Sequence, residues 1–181
     1  SFEACREPMK KRWDKQLQDA QEGAALAWDA SPISTARLAM ETYEVIKNEP
    51  WCLAVSDRIA WARKLWPTTE YHQMLGGSGG QGVGYGLPAS VGAALANKAL
   101  GRMTVTFQPD GDLLYAPGAL WTAAHHKIPL LMVMHNNGGY YQEVMHLQRM
   151  ASLHNRRTDQ AWIGNSLRNP DIDYAKIAQG M

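Results

Sequence analysis

The spacing of apolar residues changes character several times along the chain, and each change predicts an element. Met9, Trp13 and Leu17 recur every four positions inside the charged stretch 3–22. That is one narrow apolar stripe on a mostly solvated helix, either a connector lying along another domain or a plain surface helix. Gly23 to Ile33 reads as a linker of Gly, Ala, Ser and Pro. Ser34 is a good N-cap for a helix reaching about Lys47, with Ala36, Leu38, Ala39, Tyr43 and Ile46 on its buried side. Trp51 to Val55 is a short unbroken apolar run, as expected of a parallel strand covered on both faces. A helix is predicted over Ile59 to Trp66 and a strand over Tyr71 to Leu75. Another helix runs from Pro88 to about Ala99, with Pro88 suited to its first turn. Met103 to Phe107 and Leu130 to Met134 are strands flanking a helical run from Ala119 to His126. After a polar, basic tail from Asn155 to Arg168, read as mobile and as a possible lid, Asn169-Pro170-Asp171 opens an amphipathic helix. Ile172, Tyr174, Ile177 and Ala178 form its apolar side, and Gly180 closes it.

Strand, helix and strand in this order are βαβ units, so the fold class is α/β, a doubly wound parallel sheet with helices on both faces. The domain reading is a connecting helix and linker over 1–33 and one domain over 34–181. Such a sheet would continue with a further strand after the last helix, so the domain reads as truncated at its C-terminus. With 45% hydrophobic residues in 181, the chain can bury a core. A net charge of +1 offers no field for nucleic acid or an anionic membrane, and no apolar run approaches the length of a bilayer. The two cysteines, Cys5 and Cys52, form no disulfide framework and fit a reduced, cytoplasmic setting.

The chemistry gathers where the strands end. Gln108-Pro109-Asp110-Gly111-Asp112 follows one strand and His135-Asn136-Asn137-Gly138-Gly139 follows the next. Both turns fall at the carboxyl edge of a parallel sheet, where ligands bind. Asp110 and Asn137 are 27 positions apart, yet this topology brings their oxygens to one point. A carboxylate, an amide oxygen and a loop carbonyl suit Mg²⁺, which completes its octahedron with phosphate oxygens and water. The amides of Gly111 and Asp112 can form an anion nest. The Asp112 carboxylate would repel a phosphate, so its side chain is expected to turn away. Upstream, seven glycines occupy the eleven positions 76–86, a density that lets backbone approach a flat ligand.

The segment Pro109-Asp110-Gly111-Asp112 followed by Asn136-Asn137 resembles the thiamine-diphosphate motif, Gly-Asp-Gly and then Asn-Asn about 26 residues on. The run from Ala119 to Gly138 looks like the acetolactate synthases and benzoylformate decarboxylase, and Gly139-Tyr140-x-x-Glu143 resembles the pyruvate decarboxylase pattern. The resemblance implies a C-terminal diphosphate-binding domain with thiamine diphosphate and Mg²⁺ as cofactors. Asp110, Asn137 and the carbonyl of Gly139 would hold the metal. Ser56, Arg58, Gly111 and Asp112 would lie along the diphosphate, and Tyr140 would also touch the cofactor. The Gln81 carbonyl and the Val83 amide would face the aminopyrimidine, with the Val83 side chain as the wedge that bends the cofactor. Glu143 would face the substrate as a general acid. Three departures stand out. Pro109 replaces the first motif glycine, Arg58 replaces a histidine, and Val83 is shorter than the usual wedge.

The expected activity is C–C bond making or breaking next to a carbonyl, by a lyase or transferase acting on a 2-oxo acid or dicarbonyl. The family's activating glutamate belongs to a separate pyrimidine-binding domain, so the expected partner is a second subunit in a homodimer or homotetramer. Two other readings stay open. Gly77-x-Gly79-x-x-Gly82 also matches a dinucleotide fingerprint, a weak signal by itself. A non-catalytic relative that keeps only the fold would fit Pro109 and the short Val83.

Overall fold

The computed structural model describes residues 2–56, 59–77, 80 and 82–181, with backbone alone at Phe2. Three parallel strands form the sheet in chain order: β1 (Trp51–Leu53), β2 (Met103–Pro109) and β3 (Leu130–His135). Eight helices surround them among the described residues: α1 (Phe2–Ala25), α2 (Thr35–Ile46), α3 (Ala60–Leu65), α4 (Gly86–Lys98), α5 (Asp110–Tyr115), α6 (Gly118–His125), α7 (Tyr141–Leu153) and α8 (Tyr174–Gly180). The doubly wound α/β class read from the pattern is what the chain adopts.

Strand β2 is the reason for two layers. Its interior is buried throughout, and successive side chains leave on opposite faces. Val105 and Phe107 join Trp51, Leu53, Ile46, Ala62 and Trp66 against α2 and α3. The tryptophans supply volume here: Trp51 and Trp66 meet edge to face at 5.4 Å, and Trp66 Nε1 donates to the Ala39 carbonyl at 3.1 Å. On the other face Thr104 and Thr106 turn toward α4. They are satisfied by Asn97 at 3.0 Å and Ser90 at 2.8 Å, so two buried hydroxyls cost little. Leu87, Val91, Leu113, Ile128 and Tyr174 fill the rest of that layer.

Several element boundaries moved. Ser34 caps α2 as expected, its oxygen accepting from the Arg37 amide at 3.2 Å. The strand predicted over Tyr71 to Leu75 reduces to one parallel bridge, Met74 to Leu53. Only the Gln73 carbonyl and the two Leu75 backbone groups pair with the β1 edge. Tyr71 is 90% exposed, so the start of the predicted strand faces water. The single helix expected before His126 is preceded by a separate one, α5, because Pro117 cannot continue a helix from Ala116. Helix α8 starts later than expected, where the Asp173 carboxylate accepts from the Lys176 amide at 3.0 Å. In α1 the apolar stripe is buried only at its far end. Met9 and Trp13 are exposed, whereas Ala20 and Ala24 are buried and the Gly23 face lies on Trp61 of α3.

The tail read as mobile is instead strapped down. Tyr140 N donates to the Asn165 carbonyl at 2.8 Å and Leu167 N to the Gly138 carbonyl at 3.0 Å, an antiparallel bridge between Gly139 and Ser166. It is a surface strap that backbone pairing holds, with the Trp162 ring 5.8 Å from that of Tyr141.

Candidate functional site

The register of the sheet builds the site. Pro109 pairs with His135 at the carboxyl ends of β2 and β3, so Asp110 and Asn136 leave the sheet side by side. Pro109 caps α5 with φ −66° and ψ 145°, a value its ring already imposes. Asp110 is 1% exposed, and its Oδ2 accepts from the amides of Gly138 at 2.8 Å and Gly139 at 3.1 Å. Asn137 Oδ1 accepts from the same Gly139 amide at 3.1 Å, and Asn136 Oδ1 from Gly138 at 3.0 Å. The oxygens of Asp110 and Asn137 therefore converge on one N–H. In extended backbone the N–H and C=O of a residue leave on the same side. The strap consumes the Gly138 carbonyl and the Tyr140 amide, so the Gly139 carbonyl stays on the Asp110 side.

Helix α5 faces two loops at once. Asp110 holds the Asn-Asn-Gly-Gly loop, and the Cα of Gly111 lies under the Tyr140 ring, where a Cβ would come within 2.5 Å of Cε1. Asp112 turns the other way. Its carboxylate accepts from Gly84 N at 2.7 Å, Gly86 N at 3.2 Å and Gln108 Nε2 at 2.7 Å, on the side of the glycine loop. Tyr115, one turn on, backs the same loop: Gly84 has φ +89°, and a Cβ there would meet the Tyr115 Cβ at 2.7 Å. The expected turning-away of the Asp112 carboxylate is thus what the backbone amides reward.

Between these loops lies a cleft of about 360 Å³ lined by Val83, Asp110, Asn137, Gly139, Tyr140 and Glu143 among others. A larger cleft of about 510 Å³ lies between α1 and α3, walled by Trp13, Trp61, Arg63 and Lys64. The smaller cleft is the functional candidate, because only there do buried acid, amide oxygens and free backbone meet. Val83 is 43% exposed into it. A Cβ added at Gly76, Gly80 or Gly82 would meet nothing within 4 Å, so these glycines leave room rather than pack. Burial pushes His135 below its usual value, against a weaker opposing pull from Asp110, so it is neutral at pH 7. Burial raises the Tyr140 hydroxyl, and Tyr115 and Asp110 add to it. Tyr174 is pushed up to about 12 by burial and then by Asp110, and its hydroxyl is unpaired among the described residues.

Of the residues singled out in the sequence, the cleft brings together Val83, Asp110, Gly111, Asp112, Asn137, Gly139, Tyr140 and Glu143. Glu143 is exposed on the first turn of α7. Ser56 is buried beside the start of the glycine loop, its amide donating to the Leu75 carbonyl, but it does not line the cleft. Arg58 and Gln81 lie outside the described residues. Sequence reasoning missed His135, Tyr141 and Gln142, which also line the cleft. It missed Arg168, whose guanidinium covers Gly138 and donates to the Asn137 carbonyl at 3.3 Å. It also missed Val55, which takes φ 51° at the end of β1. For a β-branched residue that is strain of about 1–3 kcal/mol.

The donors fit a small hard cation better than a soft one. No group of three His, Cys, Asp or Glu side chains gathers anywhere among the described residues, so the site offers one carboxylate with neutral oxygens. Such a set holds Mg²⁺ only if an anionic ligand completes the shell. Asp110 Oδ1 has no donor among the described residues, whereas Oδ2 has two.

The profile of the family described as "Thiamine pyrophosphate enzyme, C-terminal TPP binding domain" matches residues 56–181. A Mycobacterium tuberculosis chain that carries an acetolactate synthase large-subunit name is 34% identical over 115 residues, covering 64% of this chain and 21% of that one. Benzoylformate decarboxylase of Pseudomonas aeruginosa is 41% identical over 59 residues, 33% of this chain and 11% of the relative. Among solved structures, the thiamine diphosphate-dependent 4-hydroxybenzoylformate decarboxylase of Rhodococcus jostii superposes with a TM-score of 0.59 at 26% identity. It covers 82% of this chain and 26% of that one. The chain thus spans about a fifth of the first relative's length. No described helix is long and apolar enough to cross a membrane.

Proposed function

Because this chain belongs to the thiamine pyrophosphate enzymes, as their C-terminal cofactor-binding domain, we propose that its cleft holds thiamine diphosphate through one Mg²⁺. The observation that carries this is the convergence of Asp110 and Asn137 on the Gly139 amide, which leaves Asp110 Oδ1 and the Gly139 carbonyl as ligands. Asn137 Oδ1 keeps a second lone pair for the metal. The amides of Gly111 and Asp112, at the start of α5, bind the diphosphate oxygens. Val83 wedges beneath the cofactor from the opposite wall, and Tyr140 packs beside the diphosphate. Arg58, Ser56 and Gln81 complete the set by the family pattern.

When bound, thiamine diphosphate supplies a carbon nucleophile and then an electron sink for bonds next to a carbonyl. The chain binds and bends the cofactor, and Glu143 gives and takes a proton at the carbonyl oxygen of a 2-oxo acid or dicarbonyl. The reaction class is decarboxylation, carboligation or dione cleavage. Residues 34–181 form the diphosphate-binding unit, with 1–33 as its connecting helix and linker. The activating glutamate comes from a pyrimidine-binding domain of a partner subunit, in a dimer or tetramer. Family membership removes the dinucleotide reading of the glycine loop.

Calorimetric titration with thiamine diphosphate, with and without Mg²⁺, tests this. Binding is expected only with the metal, and D110N should weaken it at least about tenfold. Metal-independent binding, or D110N behaving as wild type, would overturn the reading. A non-catalytic relative would bind the cofactor yet gain no turnover when a pyrimidine-binding domain is added in trans.

A further inference from the structure

We propose that Asp112 is a positioning residue: its carboxylate fixes the Gly82–Gly86 turn, and through it Val83, at a set distance from the metal corner. The proposal rests on the thiamine diphosphate reading and deepens it. It makes α5 a two-sided plate. One side, Asp110 and Gly111, touches the Gly138–Tyr140 loop; Asp112, on the other, touches the glycine loop, and Tyr115 reaches both, backing Gly84 and meeting the Tyr140 ring edge to face at 6.1 Å.

Three observations carry it. The carboxylate is buried, at 5% exposure, and accepts the amides of Gly84 and Gly86, the residues that bracket the end of the wedge turn. A carboxylate hydrogen-bonded by backbone amides is among the stronger contacts a loop can have. Next, a Cβ on Gly86 would collide with Asp112 Oδ2, so the turn has been drawn closer than any other residue allows. Finally, Gln108 Nε2 fixes the carboxylate from behind at 2.7 Å, and Gln108 belongs to β2, which also delivers Asp110. The wedge and the metal corner thereby share one frame. A flexible wedge would lose entropy each time the rings bound; a clasped one has lost it already. The Asp112 carboxylate touches neither cofactor nor metal in this arrangement, the backbone amide alone facing the diphosphate, and it acts through Gly84 and Gly86.

Two probes separate the halves of the cleft. Inorganic pyrophosphate with excess Mg²⁺ reports the metal corner alone, and thiamine diphosphate reports both. Calorimetry of the whole chain gives the ratio of the two affinities. In D112N, where an amide NH₂ faces the donors, that ratio should fall about tenfold while pyrophosphate binding changes less than about threefold. The Gly84 and Gly86 amide proton resonances, shifted downfield by the carboxylate in wild type, should move upfield in the same variant. If D112N does not fold, G86A tests the same contact from the other partner and should lower the ratio likewise. Equal loss of both probes, or displaced glycine resonances with an unchanged ratio, overturns the proposal and leaves the cofactor reading standing. A wild-type chain that binds neither probe overturns both.

Discussion

Tyr174 shows what a single atom can cost. Its hydroxyl is buried without a partner among the described residues, and its ring belongs to the apolar layer of Leu87, Val91 and Leu113. Y174F should therefore stabilise the chain by about 1 kcal/mol at pH 8, measured by urea unfolding. The sign of the pH effect follows from the raised value. The folded hydroxyl titrates near 12, against about 10 when unfolded, so the unfolded state loses its proton first. Stability is full below pH 10 and falls as pH rises toward 12, and Y174F should flatten that fall. Equal alkaline slopes in both proteins would refute this. The cysteines give a second residue-scale test: Cys5 is exposed, Cys52 is buried, and burial raises its thiol. A thiol reagent should label Cys5 at once and Cys52 only on unfolding. At this scale the sequence was informative wherever chemistry is local. Asp110, Asn137 and Gly139 sit in short motifs with fixed spacing. The glycine partners of Asp112 lie 26 and 28 positions away, and Arg168 lies 31 from Asn137, so no local pattern announces them.

Elements were legible in proportion to their periodicity. Helix α2, with its Ser34 cap, matched its pattern because it buries one consistent face, and β2 matched because its unbroken apolar run is buried on both faces. S34A should cost about 1 kcal/mol in a thermal or urea melt, since the Arg37 amide loses its acceptor. The strap over 155–168 was invisible because it is polar and aperiodic; its order comes from backbone pairing with Gly138 and Tyr140. A Cβ at Gly139 would come within 2.5 Å of the Asn165 carbonyl and 3.0 Å of Trp162. G139A should lift the strap, and trypsin should then cut at Arg156 and Arg157 about tenfold faster than in wild type. Unchanged proteolysis would show that the bridge contributes no order to the tail.

The whole molecule is unevenly covered. Strand β1 is flanked by the Met74 bridge, but β3 pairs only with β2 among the described residues, and Leu131 is 36% exposed. An open parallel edge with apolar side chains invites pairing between chains. The chain should self-associate as concentration rises, and L131K should suppress this in light scattering without changing the melting point by more than a few degrees. Concentration-independent scattering by wild type would refute it. The parallel sheet and its layers could be read from the order of the runs.

Pro109, finally, reverses the sense of a departure. Where its relatives' motif keeps a freely rotating residue, this chain has a ring whose natural torsion coincides with the one observed, φ −66°. Fewer unfolded conformers compete with that bend, and P109G should forfeit about 0.4–1 kcal/mol of stability in urea unfolding. The bend between β2 and α5 is thus narrowed already in the unfolded chain, and what the lost amide could have donated is returned as stiffness.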